Sequence, residues 1–298
     1  MRNSVVAYSF RHFPPLMHRS VPLFCLQRCL NRHPLPSPST LLFKTSSSSS
    51  SCALLNPFNF TGNSLFRKME RYWSGSSVNK NKGMVEHLQR YGVIQSKKVA
   101  EVMETVDRAL FVPDGSSAYE DSPMSIGFNA TISAPHMHAT CLQLLEKHLQ
   151  PGMHALDVGS GTGYLTACFA LMVGPQGRAI GVEHIPELVA MSLKNVEKSA
   201  AAPLLKDGSL ALHVGDGREG WPEFAPYDAI HVGAAAPEIP KPLIEQLKPG
   251  GRLVIPVGNI FQELKVVDKN EDGSVTVRTE TSVRYVPLTS REAQLRGY

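Results

Sequence analysis

The sequence predicts an α/β fold in which a mostly parallel, doubly wound sheet carries helices on both faces. Three observations predict it: buried-strand patterns alternate with helical patterns from residue 153 onward, a glycine-rich turn follows the first of these strands, and a hairpin pattern ends the chain. Alternation of this kind favours parallel pairing, because each helix returns the chain to the same edge of the sheet. At 298 residues, 42% hydrophobic and 19% charged, the chain has the composition of a globular protein.

The first 68 residues stand apart in composition, and we expect the globular domain to cover 69–298. Residues 1 to 69 contain no Asp or Glu but eight basic residues, with six consecutive serines at 46–51. Acid-free, Arg- and Ser-rich N-termini are typical of organelle transit peptides, and a merely disordered tail is the alternative. We therefore expect the full-length chain in a plastid or a mitochondrion, and a chain that starts at Met69 in the cytoplasm or the nucleus.

The charge balance argues against a nucleic-acid partner. The net charge of +4 comes from the leader, because 22 basic residues face 26 acidic ones from residue 70 onward. A mildly acidic domain has no electrostatic reason to bind a phosphate backbone. No apolar run approaches the roughly 18 to 20 residues of a membrane-spanning helix. We therefore expect no membrane partner and, without an exposed apolar stripe, a monomer.

No metal site is predicted. The five cysteines show no CxxC or Cys/His spacing, since three lie in the leader and two in apolar helical patterns: Cys25, Cys29, Cys52, Cys141 and Cys168. His136 and His138 form an HxH pair without a third ligand nearby in the sequence, so packing or substrate contact is the better interpretation. His213 and His231, near predicted strand ends, are expected to pack.

Two helices are predicted ahead of the sheet. The first ends at Gly92 and has four apolar positions on one face: Met84, Val85, Leu88 and Tyr91. The second begins after Ser96, a favourable N-cap. Its apolar positions continue through Leu110, and Pro113 is expected to end it.

A loop is expected over 114–127, followed by a third helix and then by the sheet. Ser133 suits the N-cap of this helix, with Pro135 in its first turn and its end near Leu149. Buried strands are predicted at 153–158, 179–183, 210–214, 228–232 and 252–257, and helices between them at about 163–173, 186–199 and 240–247. Strands at 261–267 and 275–286, joined by a turn at 270–273, predict an antiparallel hairpin that closes the sheet.

The most informative stretch is HALDVGSGTG, residues 154–163, in which a buried strand ends in a glycine-rich turn and leads into an apolar helix. Glycines let the backbone turn tightly and approach a ligand closely. Glu183 ends the next predicted strand, where a carboxylate can accept hydrogen bonds from both ribose hydroxyls of a nucleoside. A plain tight turn and a solvated charge are the alternative interpretations of these two features.

The spacing favours S-adenosylmethionine over a dinucleotide. Dinucleotide sites use GxGxxG with a pyrophosphate at the helix N-terminus, whereas Gly159, Gly161 and Gly163 form GxGxG. Asp157 lies just before this turn, where a carboxylate suits the ammonium group of S-adenosylmethionine and would repel a pyrophosphate. Asp216, which follows the third strand, is a candidate for the adenine amino group, although an Asp-Gly pair is also a simple turn.

Together with the segment before the sheet, these motifs resemble the protein-L-isoaspartate (D-aspartate) O-methyltransferase family from about residue 80 to 298. The segment DSPMSIGFNATISAPHMHA, residues 121–139, is similar to the family's own segment ahead of the sheet, and further signatures lie at 156–163, 214–218, 227–237 and 247–257. The resemblance implies a Rossmann-like S-adenosylmethionine-dependent methyltransferase fold. It also implies methyl transfer to the carboxylate of isoaspartyl residues in damaged proteins, which gives S-adenosyl-L-homocysteine and a methyl ester that leads via succinimide to normal aspartyl.

The site residues are implied by the same resemblance. Ser133 is the implied active-site residue between cofactor and acceptor, and from the residues alone its oxygen also suits an N-cap. The implied cofactor contacts are Ala130, Thr131, Ile132, Ser133, His138, Thr162, Glu183, Ala190, Asp216 and Gly217, with Thr289 and Gln294 closing over the cofactor near the C-terminus.

The expected mechanism relies on positioning. A carboxylate with an ordinary pKa of about 4 is already an anion at neutral pH and needs no general base. The residues alone leave open a methyltransferase for small molecules or nucleic acid, a nicotinamide dehydrogenase, and a cofactor-binding adaptor without turnover.

Overall fold

The fold is described from a computed structural model over residues 77–297; the predicted leader, 1–68, lies outside the described residues. Seven strands form one sheet in the order β5-β4-β3-β6-β7-β8-β9, and β1 and β2 form a separate pair. The strands are β1 Met124–Gly127, β2 Ala130–Ile132, β3 His154–Val158, β4 Arg178–Glu183, β5 Leu210–Val214, β6 Tyr227–Val232, β7 Leu247–Val257, β8 Gln262–Lys269 and β9 Val275–Val283. The helices are α1 Ser77–Arg90, α2 Lys97–Thr105, α3 Pro135–Leu145, α4 Tyr164–Val173, α5 Pro186–Glu197, α6 Ala202–Asp207, α7 Lys241–Gln246 and α8 Arg291–Arg296. Within the described residues, no helix combines the length and the apolar character needed to cross a membrane.

The sheet is parallel from β5 to β7 and antiparallel from β7 to β9, which confirms the predicted α/β fold closed by a hairpin. The predicted strands agree closely with the observed ones, except that β7 begins at Leu247 rather than 252. Leu247 pairs with Tyr227 across an irregularity in the β6–β7 register. β3 has β4 on one side and β6 on the other, so the winding direction reverses beside it. In parallel sheets, ligands bind outside the carboxyl ends of the strands at such a reversal.

The two faces of the sheet bury separate groups of apolar side chains, because successive strand residues point to opposite faces. Ala155 of β3 packs in the group formed by helices α1 to α5, whereas Leu156 and Val158 pack in the group that contains Leu243 of α7. Helix α4 is enclosed between the sheet and the N-terminal helices, and nine of its ten residues are buried. This enclosure explains why its sequence is apolar on every face.

Helix α1 ends earlier than the apolar pattern predicts. Met84, Val85 and Leu88 are buried as expected, but Tyr91 is 70% exposed, so the prediction that it faces inward is wrong. The helix stops at Arg90 and the backbone then turns away at Gly92, whose φ is +73°, which carries Tyr91 off the buried face.

Helix α2 also ends before its predicted end. Ser96 is its N-cap, since its side chain accepts a hydrogen bond from the N–H of Val99. The helix ends at Thr105 and does not continue toward Pro113, because Asp107 caps a separate 3₁₀ turn over residues 108–111 by accepting from the N–H of Ala109 at 3.0 Å. The prediction of one continuous helix is therefore wrong.

The segment expected as a loop over 114–127 contains a strand. β1 pairs antiparallel with β2, and the turn between them places Phe128 and Asn129 at φ +53° and +56°. Ser133 follows β2. It was predicted to be the N-cap of α3, and this prediction is wrong. Ala134 occupies the cap position without a side-chain hydrogen bond, and Pro135 is in the first turn as expected, so the Ser133 hydroxyl is available for another partner.

Candidate active site

Three cavities adjoin one another at the carboxyl ends of β3, β4 and β6. The strand-end cavity lies between these ends and the C-terminal segment, and its lining includes Gly159, Glu183, Asp216, Gly217, Leu288, Thr289 and Gln294. The inner cavity is lined by residues that include Ser133, His138, Asp157, Ser160, Thr162, Tyr164 and His231. The outer groove, of about 620 Å³, is lined by Ser133, His136, Met137 and residues 282–286, among others. Thr131 and Gly233 line all three, so the cavities are neighbours, and we call them together the trough.

Glu183 ends β4 with its carboxylate directed at the glycine-rich turn. One of its oxygens accepts from the N–H of Gly161 at 3.1 Å, and the other accepts from the N–H of Ile185 at 3.1 Å. Gly161 adopts φ +55°, a conformation that favours glycine. Burial raises the pKa of Glu183, and the backbone donors and His184 oppose this shift. The two backbone bonds therefore fix a carboxylate at the wall of the strand-end cavity.

The sequence suggested that Asp157 presents a free negative charge to the ligand, but its carboxylate is paired. It is buried; one oxygen accepts from the hydroxyl of Thr166 at 2.6 Å, and the other lies 2.8 Å from Nδ1 of His231. Burial alone would lower the pKa of His231, but contacts with Cys141 and Asp157 outweigh burial and raise it to about 10. His231 is therefore a cation at neutral pH and shares the charge of Asp157. This ion pair corrects the expectation that His231 only packs.

Asp216 and Gly217 follow β5 and also line the strand-end cavity. The Asp216 carboxylate accepts from Nε of Arg218 at 2.9 Å, and this hydrogen bond lowers its pKa. The carboxylate remains 39% exposed, so it has acceptor capacity left for a ligand. A side chain at Gly217 would collide with Val158, which explains the need for glycine beside the strand.

The C-terminal segment closes the strand-end cavity through Gln294. Its side-chain nitrogen donates to the carbonyl of Phe128 at 3.0 Å, and its side-chain oxygen lies 2.8 Å from Nε2 of His184. Asn129 donates in return to the Gln294 carbonyl at 2.8 Å. We call these three contacts the Gln294 clasp. The clasp joins α8, the β1–β2 turn and the end of β4 over one cavity.

Two buried hydroxyl groups around the inner cavity have no hydrogen-bond partner. They are Oγ of Ser160 and Oγ1 of Thr162, whereas the phenol of Tyr164, which also lines the cavity, donates to the thiol of Cys168. Buried polar groups in proteins are nearly always paired, so two neighbouring unpaired hydroxyls indicate a polar ligand. The donors fit the amino-acid end of S-adenosylmethionine, which carries a carboxylate. Together with Glu183 at the other end of the trough, the residues present fit this cofactor.

Ser133 lies where the inner cavity meets the outer groove. Tyr285 lines the outer groove, and its phenol is hydrogen-bonded to the Ser133 side chain. Burial raises the pKa of the Tyr285 phenol well above its ordinary value and contact with Cys141 adds to this, whereas the hydrogen bond with Ser133 lowers it. The Ser133 side chain is thus held at the boundary between two compartments, where a donor and an acceptor molecule would meet.

Most of the predicted site residues lie in this trough. Those that line at least one of its cavities are Ala130, Thr131, Ile132, Ser133, His138, Asp157, Gly159, Gly161, Thr162, Glu183, Asp216, Gly217, Thr289 and Gln294. Two others do not line it. Ala190 is exposed on α5, and Gly163 begins α4 with φ +89°, where it shapes the turn.

The HxH pair does not form a metal site. Nδ1 of His136 lies 2.9 Å from a carboxylate oxygen of Asp121, while His138 is buried. No cluster of three His, Cys, Asp or Glu side chains within residues 77–297 is placed to hold a metal ion.

Four residues of the trough region escaped sequence reasoning: Arg108, Ser160, Tyr164 and Tyr285. Ser160 lies inside the glycine motif and was identifiable from its position there. Tyr164 and Arg108 occur in apolar helical patterns, where the role of a single polar side chain leaves no sequence signal. Tyr285 comes from the far end of the chain, and only the closed fold brings it to Ser133.

Comparison with known proteins agrees with this geometry. A family model described as Protein-L-isoaspartate(D-aspartate) O-methyltransferase matches residues 79–293. The chain is 78% identical over 229 residues to Protein-L-isoaspartate O-methyltransferase 1 of Arabidopsis thaliana, which covers 77% of this chain and 100% of that protein. It is 67% identical over 276 residues to Protein-L-isoaspartate O-methyltransferase 2 of the same plant, with 93% and 86% covered. A Plasmodium falciparum protein-L-isoaspartate O-methyltransferase, solved in complex with S-adenosyl-L-homocysteine, is 34% identical with a TM-score of 0.66 over 70% of this chain and 98% of that one.

Proposed function

Because this chain belongs to the protein-L-isoaspartate(D-aspartate) O-methyltransferase family, we propose that its trough transfers a methyl group from S-adenosylmethionine to the free carboxylate of isoaspartyl residues in damaged proteins. The resulting methyl ester leads via succinimide to a normal aspartyl residue, so the enzyme repairs proteins. The observation that carries the assignment to this site is the trough, in which Thr131 and Gly233 border all three cavities. The relatives favour this function over a small-molecule methyltransferase.

The residues of the trough divide the cofactor between two cavities. When bound, S-adenosylmethionine supplies a methyl group attached to a positively charged sulfur. We assign Glu183 to the ribose hydroxyls and Asp216 to the adenine amino group, because both carboxylates line the strand-end cavity. We assign the amino-acid end to the inner cavity, and the unpaired hydroxyls of Ser160 and Thr162 support this assignment.

The outer groove is the site we assign to the acceptor peptide. An isoaspartyl carboxylate is ionised at neutral pH because its ordinary pKa is about 4, so no base is required. The chain contributes position: when the acceptor is bound, the Ser133 hydroxyl turns its one proton from the phenol oxygen of Tyr285 to the acceptor carboxylate. Correct placement of two reactants lowers a barrier by up to about 7–11 kcal/mol in favourable cases, so positioning supplies a large part of the rate enhancement.

Substitution of Ser133 tests this assignment. We expect Ser133→Ala to reduce turnover of an isoaspartyl peptide by about tenfold to a hundredfold, the usual effect of losing a hydrogen bond to a charged group. Affinity for S-adenosyl-L-homocysteine, measured by calorimetry, should stay close to that of the wild type. The assay follows radiolabelled methyl transfer to an isoaspartyl peptide, a D-aspartyl peptide and the normal aspartyl twin.

A matched control is Ser125→Ala, which removes an exposed hydroxyl from β1 and should leave turnover unchanged. Undiminished methylation by Ser133→Ala would remove Ser133 from the acceptor site. Equal methylation of the isoaspartyl peptide and its aspartyl twin would contradict the proposed substrate.

We further propose that the enzyme acts as a monomer without nucleic-acid or membrane partners, and that residues 1–68 direct it to a plastid or a mitochondrion. The mildly acidic balance from residue 70 onward and the acid-free leader support these proposals. A chain that starts at Met69 should stay in the cytoplasm or the nucleus. Fluorescent fusions of the two forms test location, and light scattering after gel filtration tests the monomer.

A further inference from the structure

Arg108 is a fully buried arginine beside the trough. Its Nη2 donates to the carbonyl oxygen of Ser133 at 2.8 Å, and its Nη1 lies 3.3 Å from Nδ1 of His138. The guanidinium carbon lies 5.8 Å from the centre of the Tyr164 ring. One buried cation therefore contacts three residues that line the inner cavity.

Arg108 forms no ion pair with a carboxylate of residues 77–297. The arginines that do form one in this range are Arg218, Arg252 and Arg278. Burial lowers the pKa of Arg108, and Tyr164 and Asp121 partly oppose this. Because burying a charge costs several kcal/mol, an arginine kept without an acid indicates that an anionic ligand supplies the missing charge.

The N-terminal helices hold Arg108 in place through Asn81 of α1. The Asn81 side chain is fully buried; its nitrogen donates to the carbonyls of Met103 at 2.9 Å and Glu104 at 3.0 Å. Its oxygen accepts from the N–H of Arg108 at 3.3 Å. These bonds tie α1 to the end of α2 and to the start of the 3₁₀ turn. The backbone of Arg108 is therefore held in position independently of the contacts that its side chain makes.

The contact with Arg108 determines the state of His138. A guanidinium has only donors, so Nδ1 of His138 must offer its lone pair, and the ring proton must lie on Nε2. Burial lowers the pKa of His138 well below its ordinary value, and the charges of Arg108, His231 and His136 lower it further. His138 is therefore a neutral imidazole with one N–H donor.

This donor joins the two unpaired hydroxyls around the inner cavity. His138, Ser160 and Thr162 all line it, and all three offer an N–H or O–H group. Neutral donors in front of a buried cation suit a carboxylate, because they form its hydrogen bonds while the cation supplies the potential. The carboxylate at the amino-acid end of the cofactor has this chemistry.

We propose that Arg108 is a positioning residue for methyl transfer, which holds His138 as an Nε2–H donor to the cofactor carboxylate and fixes the Ser133 backbone beside the acceptor. This inference rests on the proposed function. One side chain thereby sets the spacing between the donor molecule and the acceptor molecule.

Nitrogen-15 NMR of the histidine rings in the protein without ligand tests the inference directly. In the wild type, we expect His138, assigned by its loss in His138→Gln, to stay neutral with the proton on Nε2 from about pH 5 to about pH 8. In Arg108→Gln, we expect it to titrate or to populate both tautomers. Affinity for S-adenosyl-L-homocysteine should fall by about tenfold to a hundredfold, and Arg108→Lys, which restores a cation, should give an intermediate affinity.

The matched control is Arg252→Gln. Arg252 also donates to a backbone carbonyl, that of Leu144 at 2.9 Å, but pairs with Asp268 away from the trough. The Arg252→Gln substitution should lower the free energy of unfolding without altering the His138 signals. Unchanged His138 signals in Arg108→Gln would overturn the inference. If Arg108→Gln does not fold, the inference would be overturned by Arg108→Lys if that variant showed both wild-type His138 signals and wild-type affinity for S-adenosyl-L-homocysteine. Neither readout uses an acceptor, so a failure to methylate isoaspartyl peptides would contradict the proposed function alone.

Discussion

At the scale of single residues, the trough depends on carboxylates held by backbone donors. Glu183 is 6% exposed, and its two oxygens accept from the N–H groups of Gly161 and Ile185. A carboxylate has about four acceptor positions, so two backbone bonds leave capacity for both hydroxyls of a ribose. Glu183 thus shapes the glycine-rich turn and binds the ligand with the same group.

Replacement of this carboxylate should weaken cofactor binding. The amide introduced by Glu183→Gln would accept from only one of the two N–H groups and would place an NH₂ group against the other. We therefore expect this variant to bind S-adenosyl-L-homocysteine more weakly by about tenfold or more. Calorimetry measures the effect. Glu187→Gln, an exposed change on α5, is the control and should bind normally. Equal affinities in the two variants would show that Glu183 does not bind the ribose.

The sequence predicted which residues bind the ligand better than it predicted the hydrogen bonds and ion pairs that these residues form. Glu183 was identified because it ends a strand after a glycine-rich turn, a position that the chain order alone defines. The ion pair of Asp157 with His231 was missed because it depends on which strands are neighbours. β3 and β6 place these residues opposite each other, and nothing local in the sequence reports that pairing.

At the scale of elements, the β1–β2 hairpin and α8 meet over the strand-end cavity. Apolar runs predicted the central strands closely, because strands buried on both faces have uninterrupted apolar sequences. The hairpin was missed because its strands have only four and three residues and only Ile126 and Ile132 in them are buried. Too few buried positions remain to show a period of two.

The Gln294 clasp should govern how firmly the cofactor is held. Gln294→Ala removes the side-chain bonds to Phe128 and His184, so we expect the dissociation constant for S-adenosyl-L-homocysteine to rise by about tenfold. Turnover with saturating cofactor should change little, because Ser133 and the outer groove are untouched. Leu295→Ala, at the next and partly exposed position, serves as the comparison in calorimetry and in steady-state assays. Wild-type affinity in Gln294→Ala would rule out the closing role.

At the scale of the whole molecule, the buried pair of Asp157 and His231 couples stability to pH. The folded-state pKa of His231, about 10, lies above its ordinary value. The folded state therefore holds a proton that the unfolded chain releases at lower pH. The stabilisation from this pair is complete below about pH 6.5 and is lost as the pH rises toward about 10.

A stability series should reveal this dependence. Urea unfolding of the wild type and His231→Gln at several pH values should show the largest difference in unfolding free energy below about pH 6.5. That difference should shrink steadily as the solution becomes alkaline, because the wild type loses its proton. His87→Gln, at an exposed position on α1, should show no such trend. A gap between wild type and His231→Gln that stays constant with pH would mean that the pair is not ionised as described.

The buried amide of Asn81 places a limit on which shortened products can work. If ribosomes begin at Met69, the chain keeps Asn81 and with it the bonds that seat Arg108. Translation from Met84 would remove Asn81 and half of α1, leaving the carbonyls of Met103 and Glu104 without their donor. Of these two internal methionines, only the earlier can therefore serve as the start of a shorter product with a complete active centre.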